Sequence, residues 1–376
     1  MTLPETMHGV QLVGHGGIDK LVYRKDLPTP EPGIGEVLIR VAAAGVNNTD
    51  INTRIGWYSK SVSEDTDTGG TTGLDTVNDD DASWSGVPLT FPRIQGADVC
   101  GRIIAVGADI SPTRIGERVL VQTMQPLTAA APFSCITFGS ECDGGFAQYT
   151  VAKSEFTFAV NCNWSDAELA SVPCAYSTAE NMLHRASVDV ETVLVTGASG
   201  GVGSAAVQLA KRRGARVIAL SSLAKRDEVL ALGADQVIDR NADIIATLGN
   251  EAIDVVIDLV AGPGWPALLK VLKRGGRYIT AGAIAGPMVE LDVRTLYLKD
   301  LTLFGSTFQD DVIFPNLISY IEAGEIRPTL AATYPLADFA RAQEDFLAKK
   351  HTGKLVFLPP STEILLEDQT ARYLSI

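Results

Sequence analysis

Apolar positions in the first third of the chain fall in short runs bounded by Gly, Pro or Asp. EVLIRVAAAGV (36–46), CGRIIAVG (100–107), ERVLVQT (117–123) and GFAQYTVA (145–152) are such runs. They predict the strands of an irregular β-rich unit. From about residue 166 the rhythm changes. TVLVT (192–196), ARVIAL (215–220), QVI (236–238), DVVIDLV (254–260), RYITAG (277–282) and LTLFGS (301–306) alternate with amphipathic segments of helix length. That alternation marks βα units around a parallel sheet, and six such strands make a doubly wound α/β layer. Beyond them, FPNLISYIEAGEI (314–326) and LADFARAQEDFLAKK (336–350) predict helices, and GKLVFLP (353–359) a last strand. A chain of 376 residues is long for one core. The expected division is therefore a β-rich unit over 1–165, a parallel-sheet unit over 166–312, and a segment over 313–376 that returns to the first unit.

Residues 61–86 break the pattern. SVSEDTDTGGTTGLDTVNDDDASWSG holds seven acids and no bases, separated mostly by Gly, Ser and Thr. This composition predicts a solvated surface insertion. Trp84 near its end offers a sharper alternative, a flap over a binding cleft. A calcium loop fits poorly, because the acids do not alternate toward a closing Glu.

The totals narrow the range of partners. With 31 basic and 45 acidic side chains the formal charge is −14, so a nucleic-acid backbone is an unfavourable partner. No apolar run approaches the roughly 20 residues that span a bilayer, and the opening segment has no secretory pattern, so a cytoplasmic protein without membrane contact is expected. The five cysteines are scattered without a C-x-x-C, which speaks against a disulfide framework or a four-thiolate zinc lobe.

Specific chemistry first becomes legible after the strand TVLVT. Gly197-Ala198-Ser199-Gly200-Gly201-Val202-Gly203 follows it and leads into the helical SAAVQLAKRRG. Glycines there allow a tight strand-to-helix turn and close approach to a pyrophosphate, whose charge rests on free N–H groups at the helix start. The next strand ends where an Asp or Glu would bind an NAD ribose. Here Ser221, Ser222, Lys225 and Arg226 stand instead, two hydroxyls and two cations suited to a 2′-phosphate, so NADP(H) is the expected cofactor.

At this point the chain resembles the medium-chain dehydrogenase/reductase superfamily, and in particular its zinc-free quinone oxidoreductase branch. The resemblance rests on AAGVNNTDINTRIGWY (43–58), FPRIQGADVCGRIIAVG (91–107), GERVLV (116–121), GGFAQYTVA (144–152), the glycine turn, LGAD (232–235) and HTGKLVF (351–357). It implies a GroES-like β-rich catalytic domain interrupted by a Rossmann domain, with substrate in the cleft between them. Zinc members of the superfamily place Cys, His and Cys where this chain has Asn47, Ala97 and Cys174. Only Cys174 can ligate zinc among the three, with Asp98 next to the missing His, so no metal is expected beyond a weak site built on those two. His8, His15, His184 and His351 do not match the motif positions.

Asn47 matches the Asn of the quinone reductase branch, Asp50 and Tyr58 match polar cleft positions, and Asn52 stands where that branch has a Tyr. Thr49 matches the hydroxyl that relays protons in zinc alcohol dehydrogenases. These four, Asn47, Thr49, Asp50 and Tyr58, form the expected catalytic set, although a turn-stabilising role is as reasonable for Asp50. Without a Lewis acid, neutral donors suit an acceptor whose charge is delocalised, such as a quinone or an enone. An alcohol or aldehyde dehydrogenase, and a nucleotide-binding protein without turnover, are the alternatives. The apolar LTLFGSTF at the expected sheet edge predicts a homodimer.

Overall fold

The computed structural model describes residues 3–361 apart from 129, 130 and 132. The end of the returning segment, 362–376, lies outside the described residues. All six strands expected in the second half are present. They form one sheet in the order Gln236–Asp239, Arg216–Ser221, Thr192–Val195, Ile253–Asp258, Leu272–Thr280, Thr302–Gly305, with every neighbouring pair parallel. Strand alternation divides the side chains between two faces. Val193, Val195, Val217, Val255 and Ile257 pack with Tyr176, Leu183 and Leu209 from the helices Pro173–Arg185 and Gly201–Arg212. Leu194, Ile218, Leu220 and Val256 pack with Trp265 and Leu268 on the opposite side. Apolar cover on both faces is what makes these strands read as near-continuous hydrophobic runs. The chain reverses its order across the sheet between Thr192–Val195 and Ile253–Asp258, and the crevice at the C-terminal ends of such strands is where ligands bind.

The β-rich unit centres on Glu36–Gly45. This strand lies in a seven-stranded sheet ordered Thr157–Ala159, Arg118–Val121, Cys100–Val106, Glu36–Gly45, Lys354–Leu358, Leu330–Pro335, with Tyr149–Lys153 also paired to Glu36–Gly45. The last predicted strand, GKLVFLP, joins here: Val356 pairs with Gly45 and Phe357 with Ala44, antiparallel. The run at 145–152 proves to be a strand only over Tyr149–Lys153. Upstream of it, the N–H groups of Gly144, Gly145 and Phe146 bond the carbonyls of Ile94, Gly96 and Gln95 in a close loop crossing. Several strands were not expected, among them the hairpin of Thr6–Leu12 with Leu21–Pro28, the short pair Met124–Pro126 with Cys135–Thr137, Thr157–Ala159, and Leu330–Pro335. The helix expected over 314–326 spans Ile313–Glu322, and Gly324 follows it in the left-handed region at φ 70. The one expected over 336–350 is a helix over Phe339–Leu347 preceded by a 3-10 turn, Leu336–Asp338.

The acidic insertion corrects the sequence reading. It is not a solvated excursion: Val62, Thr66, Ala82 and Ser83 are buried, while Asp67, Asp75, Asp79 and Asp80 remain exposed. Its backbone is tied down from both halves of the molecule. The fully buried Arg54 donates from Nη2 to Gly70 O at 2.6 Å, and the Thr66 N–H donates to Ile284 O at 3.2 Å. Small residues permit this close packing of a segment that remains a loop, with the 3-10 turn Asp79–Asp81 its one regular element.

Candidate active site

The glycine turn sits at the sheet's switch point, as its sequence position predicts. Gly197 adopts φ 59, and a Cβ on Gly203 would lie 2.1 Å from Gly197 O, so neither position accepts an ordinary side chain without strain. The helix Gly201–Arg212 starts from Gly200 with no side-chain cap, and within the described residues the N–H groups of Gly201, Val202 and Gly203 have no acceptor. Unpaired donors at a positive helix end fit a pyrophosphate. Ser199 stands at the turn, with its carbonyl accepting the Gly353 N–H at 3.0 Å.

At the other end of the nucleotide groove, Ser221 closes its strand with Oγ buried and without a hydrogen-bond partner in the described residues. An orphaned hydroxyl at the ribose position is consistent with a nucleotide. Ser222 N-caps the following 3-10 turn, and Arg226 begins the helix Arg226–Ala231. Lys225 is less free than its sequence position suggests. Its Nζ donates to Lys349 O at 2.8 Å and to His351 O, and burial lowers its pKa. Arg240, at the end of the neighbouring strand, adds a cation here that the sequence reading missed; it stands near enough to Lys225 to disfavour that ammonium, and its N–H bonds Ser221 O at 2.9 Å. Asp239, paired with Ser221 in the sheet, uses Oδ1 on the Asn241 N–H.

Between the two halves lies a cleft of about 540 Å³, lined by the glycine turn and Cys174 from the parallel-sheet unit and, from the β-rich unit with its returning strand, by Asn47, Thr49, Tyr58, Trp84 and Lys354. That volume is in the range of small-molecule sites. Lys354 is a second missed residue. It is buried, and its Nζ donates to Asp98 Oδ2 at 2.9 Å, to Val46 O at 2.9 Å and to Asn47 Oδ1. Asp98 also accepts from Asn47 Nδ2 at 2.9 Å and from the Cys174 N–H at 2.6 Å. The ammonium therefore stands among the residues at the positions of the superfamily's catalytic zinc ligands. A dication does not fit this set. Asn47, Ala97 and Cys174 offer one thiol, which burial, reinforced by Asp98, keeps protonated by raising its pKa, and the carboxylate beside them is already paired with a fixed positive charge. Among the described residues no group of three or more His, Cys, Asp or Glu is arranged to hold a metal. The signal for Lys354 was present in HTGKLVF, but its chemistry exists only once the last strand lies beside Glu36–Gly45.

The expected catalytic residues divide on inspection. Asp50 is not among the residues lining the cleft; it accepts the Asn47 N–H at 2.8 Å and the Ala97 N–H at 3.3 Å, bracing the start of the helix Asn48–Ile55. Burial raises its pKa to about 7. Asn47 reaches the cleft, yet its amide is engaged with Asp98 and Lys354. Tyr58 and Thr49 are the remaining pair. Tyr58 OH donates to Thr49 Oγ1 at 3.2 Å, and burial pushes the phenol pKa up, so it stays protonated as a donor.

These features, a doubly wound nucleotide-binding sheet joined through a cleft to a β-rich unit, define an oxidoreductase architecture. Residues 33–161 match the alcohol dehydrogenase GroES-like domain and residues 201–323 the zinc-binding dehydrogenase domain. The chain is 30% identical to quinone oxidoreductase of Lama guanicoe, covering 94% of this chain and 97% of that relative. It is 28% identical to acryloyl-coenzyme A reductase of Metallosphaera sedula, covering 88% and 95%. The solved structure of a candidate alcohol dehydrogenase from Sinorhizobium meliloti superposes with a TM-score of 0.84 at 45% identity, covering 95% of this chain and 98% of that one. The chain belongs to the medium-chain dehydrogenase/reductase superfamily and is quinone oxidoreductase-like. It is an oxidoreductase of a family that binds a nicotinamide nucleotide. None of its described helices is long and apolar enough to cross a membrane.

Proposed function

We propose that this protein reduces a quinone or a conjugated carbonyl compound with NADPH and without zinc. The observation that carries the reading is Lys354 paired with Asp98 and Asn47 at the position of the missing zinc ligands, its ammonium fully engaged there, with the neutral hydroxyls of Thr49 and Tyr58 lining the cleft beside it. The dinucleotide, when bound, supplies the hydride. The glycine turn and the helix start at Gly201 hold its pyrophosphate, and Ser221, Ser222, Arg226 and Arg240 favour the 2′-phosphate. Charge that develops on the acceptor oxygen is met by the Thr49 hydroxyl, which Tyr58 OH supports by donating to its Oγ1. Neutral donors stabilise a delocalised phenolate or enolate better than an isolated alkoxide, which needs a Lewis acid. Relatives named quinone oxidoreductase and acryloyl-coenzyme A reductase share addition of hydride to a conjugated system, and this supports the same class here.

The test is an acceptor screen that follows NADPH and NADH absorbance with quinones, enones, conjugated thioesters, simple ketones, aldehydes and ethanol. Faster turnover of quinones or enones than of simple carbonyls is expected. Preference for ethanol or aldehydes together with a requirement for zinc would overturn the reading.

A further inference from the structure

The acidic insertion brings one side chain into the cleft that the chemistry above does not use. Trp84 lies against Tyr58, with ring centroids 4.7 Å apart and planes tilted by 35°, and its Nε1 donates to Thr49 Oγ1 at 2.6 Å. We propose that Trp84 is a positioning residue that makes Thr49 the hydrogen-bond donor to the substrate oxygen, a role resting on the quinone or conjugated-carbonyl reduction proposed above.

The bonding capacity of one hydroxyl sets this role. A threonine Oγ has two lone pairs and one hydrogen, whereas an indole N–H is a donor only. Trp84 occupies one lone pair of Thr49, and Tyr58 OH, donating at 3.2 Å, occupies the other. Thr49 can then act only through its own hydrogen. No acceptor among the described residues takes that hydrogen, and Thr49 lines the cleft. The insertion thus converts an ambivalent hydroxyl into a one-way donor.

This role requires Trp84 to be held still, and the insertion is anchored throughout. Ser85 N–H donates to Glu141 at 3.0 Å, and Ser83 Oγ accepts the Val87 N–H at 3.2 Å on either side of the ring. Further back, the Trp57 Nε1 donates to Glu64 O at 3.0 Å, Asp67 pairs with Lys349 at 2.6 Å, and the Thr66 N–H reaches Ile284 O across the cleft. Such anchoring fits a wall that keeps one donor aimed, because a preoriented dipole stabilises developing charge without reorganising.

The test uses the full-length protein with an accepted quinone or enone. Trp84→Phe keeps the ring against Tyr58 and removes only the N–H; kcat should fall about tenfold while NADPH Kd stays within about twofold. Thr49→Val should lose kcat by a similar or larger factor, and Thr49→Ser should retain most of it. In the Thr49→Val background, Trp84→Phe should cost nothing further, since the two residues act through one hydrogen bond. A merely structural Trp84 would instead lower kcat by the same factor in both backgrounds, or lower the melting temperature with kcat unchanged, and either result overturns the proposal. So would equal kcat for Thr49→Val and the unmutated protein, an arm that stands even where Trp84→Phe does not fold. An unmutated protein that binds NADPH but turns over no quinone or conjugated carbonyl would remove the functional reading, and this role with it, whereas normal turnover with unaffected Trp84→Phe removes this role alone.

Discussion

Replacing Lys354 by Met isolates the charge at the base of the cleft. The side chains of Lys354 and Asp98 are 4% and 0% exposed, so removal of the ammonium leaves a buried carboxylate with no counter-charge. Breaking a buried pair from one side costs about 3–5 kcal/mol, because the remaining charge is uncompensated. Val46 O and Asn47 Oδ1 lose the same donor, which places the expected cost toward the upper end of that range. With an unfolding entropy of about 2.1 cal/mol/K per residue over the whole chain, this corresponds to a fall in Tm of roughly 4–6 °C. Adding Asp98→Asn to Lys354→Met should recover a large part of the loss, since an amide can still accept from the Cys174 N–H while carrying no charge. Differential scanning fluorimetry on the two single variants and the double variant measures the coupling directly. An unchanged Tm for Lys354→Met, or strictly additive losses in the double variant, would refute the claim that a buried charge pair replaces the metal here.

Four other outcomes can be measured independently. Arg226→Ala should weaken NADPH by about tenfold or more while leaving NADH unchanged, as expected for one lost charge-assisted phosphate contact; equal Kd values for the two cofactors in the unmutated protein would remove the basis for this. Tyr58→Phe should lower kcat by roughly tenfold to a hundredfold with cofactor affinity preserved, read from steady-state kinetics and a binding titration. Elemental analysis should find less than stoichiometric zinc, and activity should persist in chelator, whereas one tight zinc per chain would overturn the metal assignment. The strand Thr302–Gly305 is an edge, and Val293, Tyr297 and Leu298 nearby are 59%, 60% and 57% exposed; a two-fold dimer joined at this edge is expected, sedimentation should detect it at micromolar concentration, and Leu298→Asp should shift it toward monomer.

Much of the architecture was legible along the chain, because its signals are local. The six strands of the parallel sheet announced themselves as apolar runs, since helices cover both of their faces, and the glycine turn was recognisable because a strand, a tight turn and a helix start are contiguous in sequence. Asn47, Thr49 and Tyr58 likewise lie within a dozen residues, so their grouping was visible before their geometry. What tertiary structure alone decided is how these groups are partnered. Lys354 is 307 residues from Asn47 and 256 from Asp98, and they meet only because the last strand pairs antiparallel with Glu36–Gly45. That pairing turned a set of lost zinc ligands into a buried charge network and drew Asn47 into it. Asp50 read as a cleft residue from its place in a motif, but the backbone groups of Asn47 and Ala97 claim both of its oxygens. Lys225 read as a phosphate ligand, and the carbonyls of Lys349 and His351 hold it. The insertion shows the difference most clearly. Its composition correctly indicated a segment unable to form a core of its own, but burial depends on what neighbouring elements offer: Arg54 and Ile284 supply bonds to its backbone, Thr49 supplies an acceptor for Trp84, and no sequence window contains both sides of those contacts.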